Sequence, residues 1–134
     1  AVWIAKLWST QISSAPLDPD IWFALCGLSA ILGHIFPVLL SFKGGKGVAT
    51  GAGVLLAFSP LLWTLSLAVW GTLFCLTRTV SLASLGAIAF LVPFSFFLKK
   101  GLSTTLVFGV LFALVLWTHR ENLKRIYSGG ERKL

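Results

Sequence analysis

Residues 48–77 read VATGAGVLLAFSPLLWTLSLAVWGTLFCLT, thirty residues without a charge. How this stretch divides decides the fold. As one helix it would measure about 45 Å, well beyond the roughly 30 Å hydrocarbon core of a bilayer. Pro60, behind Phe58 and Ser59, is the place to break it, because a proline inside a helix removes a hydrogen bond and clashes with the preceding turn. The stretch therefore reads as a short helix over about 47–58 and a full span over about 61–77.

The rest of the chain supports lipid as the solvent. Of its 134 residues 57% are hydrophobic and 11% charged, and six are Trp and eleven Phe; the mean hydropathy is +0.92. A soluble domain carries about a quarter of its residues as charges. The charge-free runs Ile21–Leu40, Thr79–Leu98 and Gly101–Thr118 each match the roughly 20 residues that cross a bilayer. None shows the polar face of a surface helix. They place spans at 21 to about 37, at 82–98 with Pro93 as a kink point, and at 103–117. Ala1–Trp8 reads as the end of a further span, followed by a polar loop over Ser9–Asp20. The expectation is an all-α, polytopic integral membrane helical bundle of five spans plus a stub, part of a longer chain.

Charge sets the orientation. With the 47–58 element counted as a short crossing, Lys43, Lys46, Arg78, Arg120, Lys124, Arg125, Arg132 and Lys133 share one face, eight of eleven basic residues. Lys6, Lys99 and Lys100 fall on the other, with Asp18 and Asp20. A single crossing over 48–77 would divide the basic residues four against seven. The positive-inside rule selects the first arrangement and makes the eight-charge face cytosolic. The net charge of +7 is thus read as membrane topology, not as a nucleic-acid surface. Cys26 and Cys75 lie within apolar runs and read as small buried hydrophobes.

Before the thirty-residue stretch stands FKGGKGVATG, residues 42–51. It is not the nucleotide-binding pattern G-x-x-x-x-G-K-[ST], since Gly47 follows Lys46 and the nearest threonine is Thr50. Gly44, Gly45 and Gly47 around Lys43 and Lys46 lead directly into a helix N-terminus. Such a turn suits an anion, held by lysine and by backbone N–H groups; the bland alternative is a hairpin whose lysines snorkel to headgroups. Two further clusters share this face. In RTVSLAS, residues 78–84, Ser81 and Ser84 lie on one helical face, and Arg78 is either a ligand or an interfacial anchor. In HRENLKR, residues 119–125, His119 and Asn122 are also three apart, while Glu121 points elsewhere and can pair with Arg125. A short helix continues to about Tyr127 and stops at Gly129-Gly130, before Glu131. His34, deeper in an apolar run, can brace the glycine turn.

The only glutamates, Glu121 and Glu131, make no convincing carboxylate pair for glycoside hydrolysis, acidic metal set or acid member for a serine triad, and Asp18 and Asp20 fall on the opposite face. The inventory favours holding phosphorylated substrates and transferring a group between them, by positioning and electrostatics. No cofactor is called for.

Together, GHIFPVLLSFKGGKGVAT, RTVSLAS and HRENLKRIYSGGE closely resemble the acyl-phosphate-dependent bacterial membrane glycerol-3-phosphate acyltransferases. The resemblance implies a seven-helix fold in the bacterial inner membrane, with the active site and C-terminus facing the cytoplasm. It implies acyl transfer from acyl phosphate to the 1-hydroxyl of sn-glycerol 3-phosphate, giving 1-acylglycerol 3-phosphate and inorganic phosphate without a metal. Lys46, His119 and Asn122 match the family's catalytic positions. Lys43, Gly44, Gly45, Gly47, Thr50, Arg78, Ser81 and Ser84 would bind substrate phosphate or line its pocket. The proton acceptor is either a substrate phosphate or His119. The family's first motif, a serine-glycine-asparagine loop followed by an arginine, is absent, so residues 1–134 read as part of a single transmembrane acyltransferase domain. A monomer would suffice. The competing reading is a transporter or binding protein for a phosphorylated small molecule.

Overall fold

The computed structural model describes residues 19–42, 44–98 and 101–131. Lys43, the N-terminal stub, Lys99, Lys100 and the last three residues lie outside the described residues. All regular structure among the described residues is helical: α1 (Pro19–Ile35), a 3₁₀ turn (Val38–Leu40), α2 (Val48–Phe58), α3 (Pro60–Thr77), α4 (Val80–Phe97), α5 (Leu102–Thr118) and α6 (Arg120–Tyr127).

The thirty-residue stretch breaks where the proline stands. Ser59 leaves the helical conformation at φ −153° and ψ 103°, and its hydroxyl accepts from the Leu62 N–H. Pro60 follows as the first residue of α3, where its missing N–H costs nothing. Arg78 then closes α3 in the left-handed region at φ 54°, with its N–H bonded to Phe74 O. α2 and α3 are therefore separate helices joined by one residue.

Consecutive helices pack together, α3 with α4 and α4 with α5 most extensively, and α1 closes against α5. The core gathers Ile31, Ile35, Leu55, Leu62, Leu91, Phe108 and Leu111. Gly27 meets Val54 and Gly86 meets Leu73 so closely that a Cβ at either glycine would collide. Small residues permit this close helix approach where lipid supplies no hydrophobic drive between helices. The outward faces stay apolar: Leu76 is 76% and Phe97 83% exposed, tolerable only in hydrocarbon. Cys75 is exposed on this surface and Cys26 half-buried, a correction to their expected burial. It follows from the outward register of α3.

By length and composition α3 and α4 can each cross a bilayer, and α5 with α6 makes a third if that pair, bent by 60°, is one span. α1 and α2 are shorter apolar helices. The architecture is an all-α, polytopic membrane bundle.

Candidate functional site

The glycine turn is built by close approach. A Cβ at Gly44 would strike the carbonyl oxygens of His34 and Ile35, and one at Gly45 would strike His34 Nε2. Gly45 N–H donates to His34 O at 3.3 Å, so His34 braces the turn, although its side chain is exposed. Gly47 precedes α2 at φ 81°, a conformation with little cost only for glycine. Among the described residues no side chain caps α2, which leaves its leading N–H groups available to an anion.

At the other end of the chain α6 turns away from α5 by 60° at His119. α6 ends in a Schellman motif: Gly129, at φ 74°, donates to Ile126 O, and Gly130 donates to Arg125 O at 2.8 Å. That reversal carries Glu131 back along α6. Lys46 Nζ donates to Asn122 Oδ1 at 2.6 Å, and Asn122 Nδ2 donates to Glu131 Oε1 at 2.7 Å. Because an ammonium only donates and a carboxylate only accepts, the amide orientation is determined. Ser81 Oγ also donates to Glu131 Oε1 at 2.7 Å, and Arg125 Nε donates to Oε2 at 3.0 Å. The three sequence clusters thus meet in one hydrogen-bonded chain, at the bundle end that carries the glycine turn, the α3–α4 corner and α6.

Asn122 is 7% exposed and His119 2%. His119 Nδ1 donates to Val115 O at 2.9 Å, so in the neutral ring Nε2 is the nitrogen that keeps its lone pair. Burial lowers the His119 pKa below its ordinary 6.5, opposed by the Val115 bond and the Glu131 charge and reinforced by the Lys46 charge. The Glu131 pKa falls to about 2, through the hydrogen bonds from Asn122, then Ser81, then Arg125.

Several expectations change. Glu121 pairs with Lys124 at 3.1 Å, not with Arg125, whose partner is Glu131 at 3.0 Å; the i+3 lysine is nearer along the helix face, and the reversed tail captures the arginine. Ser81 reaches the cluster through Glu131. Ser84 donates to Val80 O at 2.8 Å and accepts from Trp70 Nε1 at 3.1 Å, and it lines the cavity described below. Arg78 is exposed at the α3–α4 corner, and among the described residues no hydrogen bond joins it to the cluster. Thr50 lies in the first turn of α2. Glu131 is the residue that sequence reasoning missed. Its signal was a lone acid just after a helix-stopping glycine pair.

Beneath the cluster lies an apolar cavity of about 430 Å³. Gly47, Val115 and Ser84 line its upper end, beside Lys46 and His119; Phe58, Trp63, Leu91 and Phe108 line the lower end. Ser66, also in the wall, has a buried hydroxyl without a hydrogen-bond partner among the described residues.

These features define a polytopic membrane protein with a cationic, hydrogen-bonding site set over an apolar cavity. The glycerol-3-phosphate acyltransferase family profile matches residues 1–129. A glycerol-3-phosphate acyltransferase of Methylobacillus flagellatus is 43% identical over 125 residues, covering 93% of this chain and 62% of the relative. One from Geotalea daltonii is 48% identical over 115 residues, covering 84% and 58%. Among solved structures, the glycerol 3-phosphate form of PlsY, an integral membrane glycerol 3-phosphate acyltransferase, matches with a TM-score of 0.82 at 38% identity, covering 85% of this chain and 57% of that one. Its lysophosphatidic acid form matches with a TM-score of 0.81 at 38% identity, covering 85% and 58%. The chain belongs to the glycerol-3-phosphate acyltransferase family. It spans about six-tenths of the length of these two curated relatives.

Proposed function

We propose that this chain forms part of an enzyme that moves a fatty acyl group from acyl phosphate to the 1-hydroxyl of sn-glycerol 3-phosphate. The products are 1-acylglycerol 3-phosphate and inorganic phosphate. The observation that carries this reading is the junction at Gly47, where the cationic, hydrogen-bonded cluster of Lys46 meets an apolar cavity. An acyl phosphate has the same two parts in the same order. Lys46 and the backbone N–H groups of the glycine turn and of α2 hold phosphate charge. Lys43 would add charge to the same turn. The apolar cavity receives the chain, within the size range of small-molecule pockets.

In the transfer, the glycerol 1-hydroxyl oxygen bonds to the acyl carbon, and the bond from that carbon to the phosphate oxygen breaks. The hydroxyl proton passes to the departing phosphate, either directly or by way of His119 Nε2, the acceptor nitrogen of the neutral ring. Asn122 positions Lys46 and offers its amide to the polar substrates; Glu131 holds Asn122 in that orientation.

Residues 1–134 belong on this reading to one transmembrane acyltransferase domain with five spans, α1 to α5, in a bacterial cell membrane. The Lys46 end and the C-terminus face the cytoplasm, because Lys46, Arg78, Arg120, Lys124 and Arg125 gather there.

The test supplies the purified full-length protein carrying this chain with acyl phosphate and glycerol 3-phosphate, and measures lysophosphatidate and released phosphate. Equal amounts of the two products are expected, with none from acyl-CoA as sole donor. Acyl-CoA supporting an equal rate overturns the donor assignment.

A further inference from the structure

Between the polar cluster and the apolar cavity stands a side chain that the chemistry above does not use. Trp70 lies on α3, seven residues before its end, about 10 Å inside the bundle. Its indole N–H donates to Ser84 Oγ at 3.1 Å. Its ring stacks on Phe74, with centroids 5.1 Å apart and planes 12° apart. Both Trp70 and Ser84 line the cavity. Ser84 is one helical turn below Ser81, which bonds to Glu131. Indole nitrogen only donates, so the direction of the Trp70–Ser84 bond is unambiguous. Ser84 in turn gives its only proton to Val80 O.

We infer that Trp70, held at its edge by Ser84 and at its face by Phe74, is a specificity-determining residue that sets the width of the upper cavity. It thereby selects which acyl donors place their carbonyl carbon at the cluster. This rests on the reading of the cavity as the acyl site. Ser84 acts as the peg for the indole. A rigid aromatic wall at this depth borders the first methylenes of the chain, so branching or bulk there is rejected. Such discrimination by an apolar wall is modest per methylene, about tenfold to a few hundredfold.

The test is a kinetic double-mutant cycle on Trp70→Phe and Ser84→Ala in the full-length protein. Acyl phosphates of several lengths, and one branched near the carbonyl, serve as donors. Each single variant is expected to raise the KM for straight-chain acyl phosphate about fivefold, the worth of one neutral hydrogen bond. In Trp70→Phe the KM for glycerol 3-phosphate stays unchanged, and the penalty against the branched donor shrinks. The double variant is expected to be no worse than the more impaired single one, because both break the same bond. Additive losses overturn the proposal, as does a raised KM for glycerol 3-phosphate in Trp70→Phe. Lower thermal stability with an unchanged donor profile also overturns it, since that marks a purely structural role. Ala87→Phe, which fills the same cavity from α4, separates the two readings. If it fails to shift the preferred chain length, the acyl reading of the cavity falls and Trp70 with it. If it shifts the preference while Trp70→Phe does not, only the Trp70 assignment is lost.

Discussion

Asn122→Ala removes the one side chain that touches both charged ends of the cluster. Lys46 loses an acceptor at 2.6 Å and Glu131 a donor at 2.7 Å. Glu131 retains Ser81 and Arg125, and the exposed side of Lys46 is open to water, so the cluster does not collapse. The functional loss is then the placement of the Lys46 ammonium. A hydrogen bond to a charged group contributes about 1.5–3 kcal/mol, which corresponds to a loss of roughly 10- to 100-fold in kcat/KM. The assay is the initial rate of lysophosphatidate formation, with thermal unfolding in detergent measured in parallel. Asn122→Asp sharpens the test: it keeps an acceptor for Lys46 but sets a second carboxylate against Glu131. Lower pH protonates one of that pair and restores a donor. Asn122→Asp is therefore expected to recover, relative to the parent protein, as pH falls, while Asn122→Ala does not. A parental rate in Asn122→Ala, or identical pH profiles for the two variants, refutes the cluster as the positioning device.

Three further outcomes follow from the geometry. The His119 ring, with its pKa lowered by burial, should show a midpoint below 6.5 by NMR of labelled histidine. Its neutral form favours folding at high pH, and that contribution declines as pH falls below the unfolded value near 6.5. Glu131 has the depressed pKa of a carboxylate: its contribution is complete above about pH 4.3 and disappears only as pH falls toward about 2, so a stability loss between pH 5 and 6.5 belongs to His119. Gly44→Ala meets backbone carbonyls that cannot move aside; it should disrupt the turn and raise the KM for phosphate-bearing substrates, whereas Gly53→Ala, with open space around it, should leave them unchanged. Ser66→Ala removes a buried unpaired hydroxyl and should be neutral to about 1 kcal/mol stabilising in detergent unfolding; destabilisation would show that the hydroxyl is bonded.

What was legible in the sequence was local. Pro60 behind Ser59 announces both a helix stop and a helix start, and the structure uses the pair as N-cap and first residue. Three glycines around Lys46 announce a close backbone approach, and Gly44 and Gly45 lie against His34. Spacing also brought His119 and Asn122 to notice, though a straight continuation of the last span misses the 60° bend between them and α5. What was not legible depends on chain reversal. Nothing in a spacing rule brings Glu131 back to Asn122, nine residues earlier; that takes two glycines closing a helix and an arginine in its last turn. The bond from Trp70 to Ser84 was hidden for a similar reason, because the two lie on different helices.

On the proposed reading phosphate sits at Lys46 while the acyl chain descends the cavity below it. The most direct measurement is photolabelling by an acyl phosphate with a photoreactive group at the far end of its chain, followed by mapping of the labelled residues. The account predicts labels at the lower cavity, on Trp63, Leu91 or Phe108, suppressed by excess unlabelled acyl phosphate and weakened by Lys46→Ala. Labelling confined to outward residues such as Leu76 and Phe97, and indifferent to competitor, would contradict it.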